Sequence, residues 1–299
     1  MESTITAADL DTVALDDMLA RLREEALVLT VNKRLAAWLH RRHADLQAAD
    51  VWETPDILPW NGWLLSLHDQ LLTTGRETAR LLTNHQESLI WEKIADGWNH
   101  AQGREALLRP AAAAAAAADA WKLLHGWSID PRELTNYPSP ESRLLATWFD
   151  EFRTYCAQNG WLSAAELPAL ILKKIDEQAI PLPRTLFLAG FDELTPGHAH
   201  LLARMSAAGC GIAQVDNARP EAAATRCCCH DNRDEIRCAA YWARDRLQTN
   251  PQQRIGIVIP QLARLRKDVE RQFHATLHPE TLTAASHSVS EIFNISLGT

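Results

Sequence analysis

The apolar positions of this chain change their spacing twice. Near both ends, short apolar runs alternate with longer amphipathic stretches, whereas the middle carries helical spacing alone. Residues 8–24 place Leu10, Val13, Leu15, Met18, Leu19 and Leu22 on one broad face, which predicts an amphipathic helix. The unbroken run at 26–31 predicts a buried strand, and helical spacing returns over 33–46. Next comes Thr54-Pro55-Asp56-Ile57-Leu58-Pro59-Trp60, held extended by its two prolines. A helix is predicted from about residue 61, with Trp63, Leu64, Leu67 and Leu71 on one side.

From 83 to 177 only helices are predicted: 84–98, 105–126, 141–159 and 163–177. Turn signals at Gly97, at 126–131, at Pro138-Ser139-Pro140 and at Asn159-Gly160 separate them. The eight alanines at 111–118 follow Pro110, which suits a first helical position, and read as a closely packing helix. After Pro181-Leu182-Pro183 the pattern changes. Strands are predicted at 184–189, 211–215, 226–229 and 254–259, with helices at 196–208, 232–248 (Asp231 as N-cap) and 261–276. Short apolar strands alternating with such helices imply parallel β-α units.

The expected fold class is therefore α/β: a parallel sheet with helices on both faces, interrupted by an all-helical insertion. Residues 1–75 plus 182–299 would form the discontinuous α/β domain and 76–181 the insertion. The tail at 286–298 reads as partly extended and ends without a polar closing segment, so the chain reads as the N-terminal part of a longer protein.

Composition narrows the function classes. The 299 residues are 46% hydrophobic and 23% charged, as in a soluble globular protein. A chain of this length buries roughly 75% of its unfolded surface on folding and needs no staples. The net charge of −8 argues against strong non-specific nucleic-acid binding but leaves room for a local basic groove. Six irregularly spaced cysteines and an acidic N-terminus argue against secretion, and no apolar run approaches the ~20 residues of a membrane span. A cytoplasmic protein with no membrane partner is expected. Most of the eleven tryptophans sit at helical spacing beside Leu or Ala and read as core.

Four segments, read in order, carry a resemblance. Residues 27–36 (Leu-Val-Leu-Thr-Val-Asn-Lys-Arg-Leu-Ala) are similar to the superfamily 1 helicase motif whose strand-to-helix turn grips single-stranded DNA. Thr30, Asn32 and Lys33 match its Thr-Asn-Lys cluster. Residues 54–64 look like the segment that precedes the helical insertion. Residues 190–196 (Gly-Phe-Asp-Glu-Leu-Thr-Pro) resemble the signature of AddB-type subunits of helicase-nuclease complexes. Residues 234–258, with Asp234-Glu235-Ile236 and Arg254-Ile255-Gly256-Ile257-Val258, resemble the segment closing the first motor domain.

The resemblance implies a RecA-like sheet (helicase 1A-like) with a 1B-like insertion, in an inactivated helicase of DNA double-strand-break repair and recombination. In such helicases the strand at 184–189 ends in an Asp-Glu pair for Mg²⁺ and the attacking water. Here those places fall on Ala189 and Gly190, which can do neither. It further implies a C-terminal nuclease and a partner helicase/nuclease subunit, both outside residues 1–299.

The residues themselves agree with a missing engine. No Gly-x-x-x-x-Gly-Lys-[Ser/Thr] run is present, and the turn after 26–31 is Val31-Asn32-Lys33-Arg34, without a glycine. No catalytic residue, metal or cofactor is expected. Asn32, Lys33 and Arg34 open a helix where amides and two cations would meet a DNA phosphate, with Arg41 and Arg42 farther along. Trp60 and Trp63 read either as bases' stacking partners beside that turn or as packing residues. Asp192 and Glu193 read as charges favouring the following helix rather than as metal ligands.

Cys227, Cys228 and Cys229 read as small residues of a buried strand, with Cys238 a helical turn or more away. The cations Arg264, Arg266, Lys267 and Arg271 alternate with Asp268 and Glu270, as on a solvated face. The expected function is a non-catalytic DNA-binding module that takes single-stranded DNA or a duplex end. The alternative is a protein-interaction scaffold without nucleic-acid contact. An unusual nucleotide enzyme is the third reading.

Overall fold

A computed structural model describes residues 10–22, 26–48, 51–102, 107–137, 139–216, 224–279 and 292–296. Contacts divide the chain into two units, Met1–Ala218 and Arg219–Thr299. That boundary is one that the sequence reading did not draw, and the helical insertion stays in the first unit with the sheet.

The apolar runs of the first unit form strands because both of their faces are covered. In chain order they are β1 (Asp11–Val13), β2 (Ala26–Thr30), β3 (Asp56–Pro59), β6 (Thr185–Ala189) and β7 (Gly211–Val215). They pair in parallel in the order β1-β7-β6-β2-β3. Alternation of side chains splits each strand between two cores. Leu27, Leu29, Leu186 and Leu188 face one side, under α3 (Trp60–Thr73), α7 (Leu167–Asp176) and α8 (Pro196–Ala207). Val13, Val28, Phe187, Ala189 and Val215 face the other, under α1 (Leu15–Ala20) and α2 (Lys33–Asp45). Each such side chain contributes roughly 1.5–3 kcal/mol when fully buried.

The predicted helix over 8–24 is corrected to a strand followed by a short helix. Val13 aligns with Val215 in the parallel register, and both are buried. Pairing at the sheet edge thus overrides the helical spacing of Leu10 to Leu22. The predicted strands at 226–229 and 254–259 are also corrected: neither pairs with another strand among the described residues. In the second unit α9 (Asn232–Thr249) packs on α10 (Leu262–Leu277) through Ile236, Ala240, Val269 and Phe273. Asp231 caps α9 as expected, its carboxylate accepting from the Asp234 amide at 2.8 Å.

The insertion is not wholly helical. β4 (Arg80–Leu81) and β5 (Trp161–Leu162) form a short parallel ribbon beside α4 (Asn84–Gln102), α5 (Pro110–Gly126) and α6 (Pro140–Asn159). The alanine run buries Ala114, Ala117 and Ala118, which lets α5 lie close to α4. Trp91 stacks on Phe152 with ring centroids 4.1 Å apart, and Trp121 meets Phe149 and Phe152 edge-on. The insertion touches the sheet layer at α8, where a β-carbon on Gly197 would stand 3.0 Å from the Gly126 carbonyl oxygen.

Truncating Phe152→Ala removes the partner of Trp91 and opens a cavity in this core. A loss of about 3–5 kcal/mol is expected in urea unfolding followed by tryptophan fluorescence. A second variant tests a half-buried carboxyl. Glu166 accepts from the Ser163 amide at 3.2 Å, and burial pushes its carboxyl above the ordinary range. The folded state therefore holds that proton more tightly than the unfolded state, and this contribution is lost as pH rises through the folded value. Glu166→Gln keeps the capping acceptor and removes the charge. Its stability should match or exceed that of the parent at neutral pH, with the gap closing on acidification.

Candidate nucleic-acid interface

Two strand ends meet at the carboxyl edge of the sheet. From β2 the chain turns into α2 on one face, while from β6 it runs toward α8 on the other. The crevice between adjacent strands whose connections part in this way is where α/β sheets bind ligands. At this edge the outgoing turns run through Val31 to Arg34 and through Gly190 to Glu193.

The first side is built by hydrogen bonds. Thr30 is fully buried, and its hydroxyl donates to the Asn32 carbonyl at 2.9 Å and lies 3.4 Å from the Leu58 carbonyl. It braces the turn and offers nothing to a ligand. The Asn32 side chain caps α2 by accepting from the Leu35 amide at 2.9 Å. Asn32, Lys33 and Arg34 are all exposed, and no acidic residue stands in the first turn of α2. The first amides of a helix have no acceptor within it, and its dipole adds positive potential there. Cations and amides therefore coincide at one helix terminus.

The second side is closed by packing. Gly190 has φ +80, and a β-carbon there would lie 2.6 Å from Leu35 Cδ2 and 3.1 Å from Val31 Cγ1. The Val31 amide also donates to the Ala189 carbonyl at 3.3 Å. The two turns thus pack against each other, and a carboxylate at 190 has no room. Ala189 is buried in the sheet. Asp192 and Glu193 are exposed beyond the glycine, and neither belongs to a potential metal-ligand cluster among the described residues. Thr195 caps α8, its hydroxyl accepting from the His198 amide at 3.3 Å. Burial pulls the His198 imidazole below its ordinary range.

The tryptophans proposed to stack on bases are placed differently. Trp60 and Trp63 are 5% and 4% exposed. Trp60 packs edge-on against Trp63, Phe191 and His198, with centroids 5.7, 6.1 and 4.4 Å away. Both belong to the core under α3, so of their two sequence readings the packing one holds. On α2 itself an aromatic ring is open to solvent: Trp38, which is 47% exposed. It lies four residues after Arg34 and three before Arg41, so all three share a helix face. Sequence reasoning missed it, although a signal existed. Ala36, Leu39 and His43 form the buried stripe of α2, and Trp38 falls outside that stripe. Arg42 is paired with Asp16 at 3.4 Å.

A phosphate loop would follow the first strand, which is β1 and not the run at 26–31. β1 passes into α1 through Ala14 alone, and the first turn of α1 carries Asp16 and Asp17. There is no glycine-rich nest, and the acidic turn repels phosphate. No helix among the described residues is long and apolar enough to cross a membrane. No protein-family model matches the chain, and no curated protein matches it.

Gly190→Ala tests the contact between the two turns. Left-handed backbone strain and the Leu35 contact act together, so a loss of more than about 1 kcal/mol is expected in urea unfolding. An unchanged midpoint would mean that the turns do not pack as described.

Proposed function

We propose that this chain is a DNA-binding module with a RecA-like, helicase-derived sheet and no ATP chemistry, working in double-strand-break repair and recombination. The observation that carries the reading is the carboxyl edge where β2 and β6 end. It presents a cationic helix terminus at Asn32, Lys33 and Arg34, beside a turn whose glycine excludes a metal-binding acid. DNA phosphate is the ligand that such a terminus suits. Trp38, between Arg34 and Arg41, adds an exposed ring on which an unpaired base can stack.

The parallel α/β sheet and the helical insertion support the helicase-like part of this reading, as do the four ordered sequence segments. The short β1-to-α1 passage supports the absence of nucleotide hydrolysis. In this proposal the strand-cutting and motor activities belong to further domains or to a partner subunit.

Fluorescence anisotropy with labelled single-stranded and duplex DNA, in a salt series with and without ATP, tests it. Binding should weaken steeply with salt and ignore ATP. Reversing both cations in Lys33→Glu/Arg34→Glu should flatten the log–log salt slope by about one unit per lost phosphate contact. Trp38→Ala should cost about 1–3 kcal/mol on single strands and less on duplex. Undiminished binding by the double variant would sink the site. Absence of binding even at low salt would favour a docking scaffold, which the net charge of −8 also suits.

A further inference from the structure

The segment at 226–229 is neither helix nor paired strand among the described residues, so its cysteines are not covered by a sheet. Cys227 and Cys228 are exposed, and Cys229 is partly so. Cys238 stands on α9. The three sulfurs of Cys227, Cys229 and Cys238 all lie within 4.8 Å of one another.

This approach is held by the start of the helix. The His230 amide donates to the Asp234 carboxylate at 3.3 Å, and the Asp234 amide donates to Asp231 at 2.8 Å. The segment is thereby fastened to the first turn of α9, and Cys238 follows one turn beyond Asp234. All these groups belong to the second unit.

A bound cation deprotonates the thiols that coordinate it. Sulfurs bound to one tetrahedral zinc at about 2.3 Å stand roughly 3.8 Å from each other, so only a small contraction is needed here. Soft thiolates select a thiophilic ion over magnesium or calcium.

We infer that Cys227, Cys229 and Cys238 form a three-thiolate site for one zinc-class ion, which clips the segment at 226–229 to α9. The fourth position stays open on the solvent side, where exposed Cys227 lies, and is completed by water. The site is separate from the proposed DNA interface and does not depend on it.

Cobalt(II) titration of the reduced chain, followed by zinc displacement, tests the inference. The expected result is one cobalt per chain with thiolate-to-cobalt charge transfer and tetrahedral ligand-field bands, lost on adding zinc. Cys238→Ser should abolish stoichiometric binding, although that residue is remote in sequence from the cysteine triplet. Cys228→Ser should bind as the parent does. Circular dichroism of both variants checks that α9 and α10 are retained. Failure of the reduced parent to bind cobalt stoichiometrically would overturn the inference. So would an unchanged cobalt spectrum in Cys238→Ser, which would assign the ion to the triplet alone.

Discussion

The pairing of β2 with β6 is the constraint on which the rest of the first unit depends. Val28 aligns with Phe187 and Leu29 with Leu188, across a span of chain that contains the whole helical insertion. Bringing such distant segments together carries a loop-closure cost, although that cost grows only slowly with length. The pair offsets it by burying both faces of each strand. Every other strand in the sheet adds to one side of this pair, and each helical layer covers one of its faces.

The same pair fixes the chemistry of the carboxyl edge. Parallel strands deliver both of their outgoing turns to one end, so Val31 and Gly190 are forced into contact. The contact leaves no space for an acid at the end of β6, and it brings the first turn of α2 up to that edge. The lack of room for an acid at 190 and the exposed cationic terminus are thus two results of one packing arrangement. A carboxylate introduced at 190 would have to displace Leu35 before it could hold an ion.

Polar groups in this unit do their work mostly by bracing. Thr30 ties the turn after β2 to itself and to β3, Asn32 closes the helix terminus, and Thr195 closes the next one. Gln214 of β7 donates to the Phe191 carbonyl at 2.7 Å and holds the second turn beside the sheet. These bonds set where Lys33 and Arg34 project without themselves meeting a ligand. In the second unit Asp231 and Asp234 play the same part for the three thiols.

The sequence by itself determined the strands at β2, β6 and β7, the long helices, and the cap Asp231. Those features follow from spacing and from backbone groups within a few residues. It also shows directly that no Gly-x-x-x-x-Gly-Lys-[Ser/Thr] run is present and that Ala189 and Gly190 follow Leu188. Tertiary structure alone decided the rest. β1 is a strand because β7 lies beside it, whereas 226–229 and 254–259 pair with no strand among the described residues. Trp60 is buried and Trp38 exposed because helix orientation, and not aromatic content, sets which ring meets solvent. Cys238 joins Cys227 and Cys229 because α9 folds back along the segment that carries them. Each of these outcomes rests on a contact between residues that local pattern does not link.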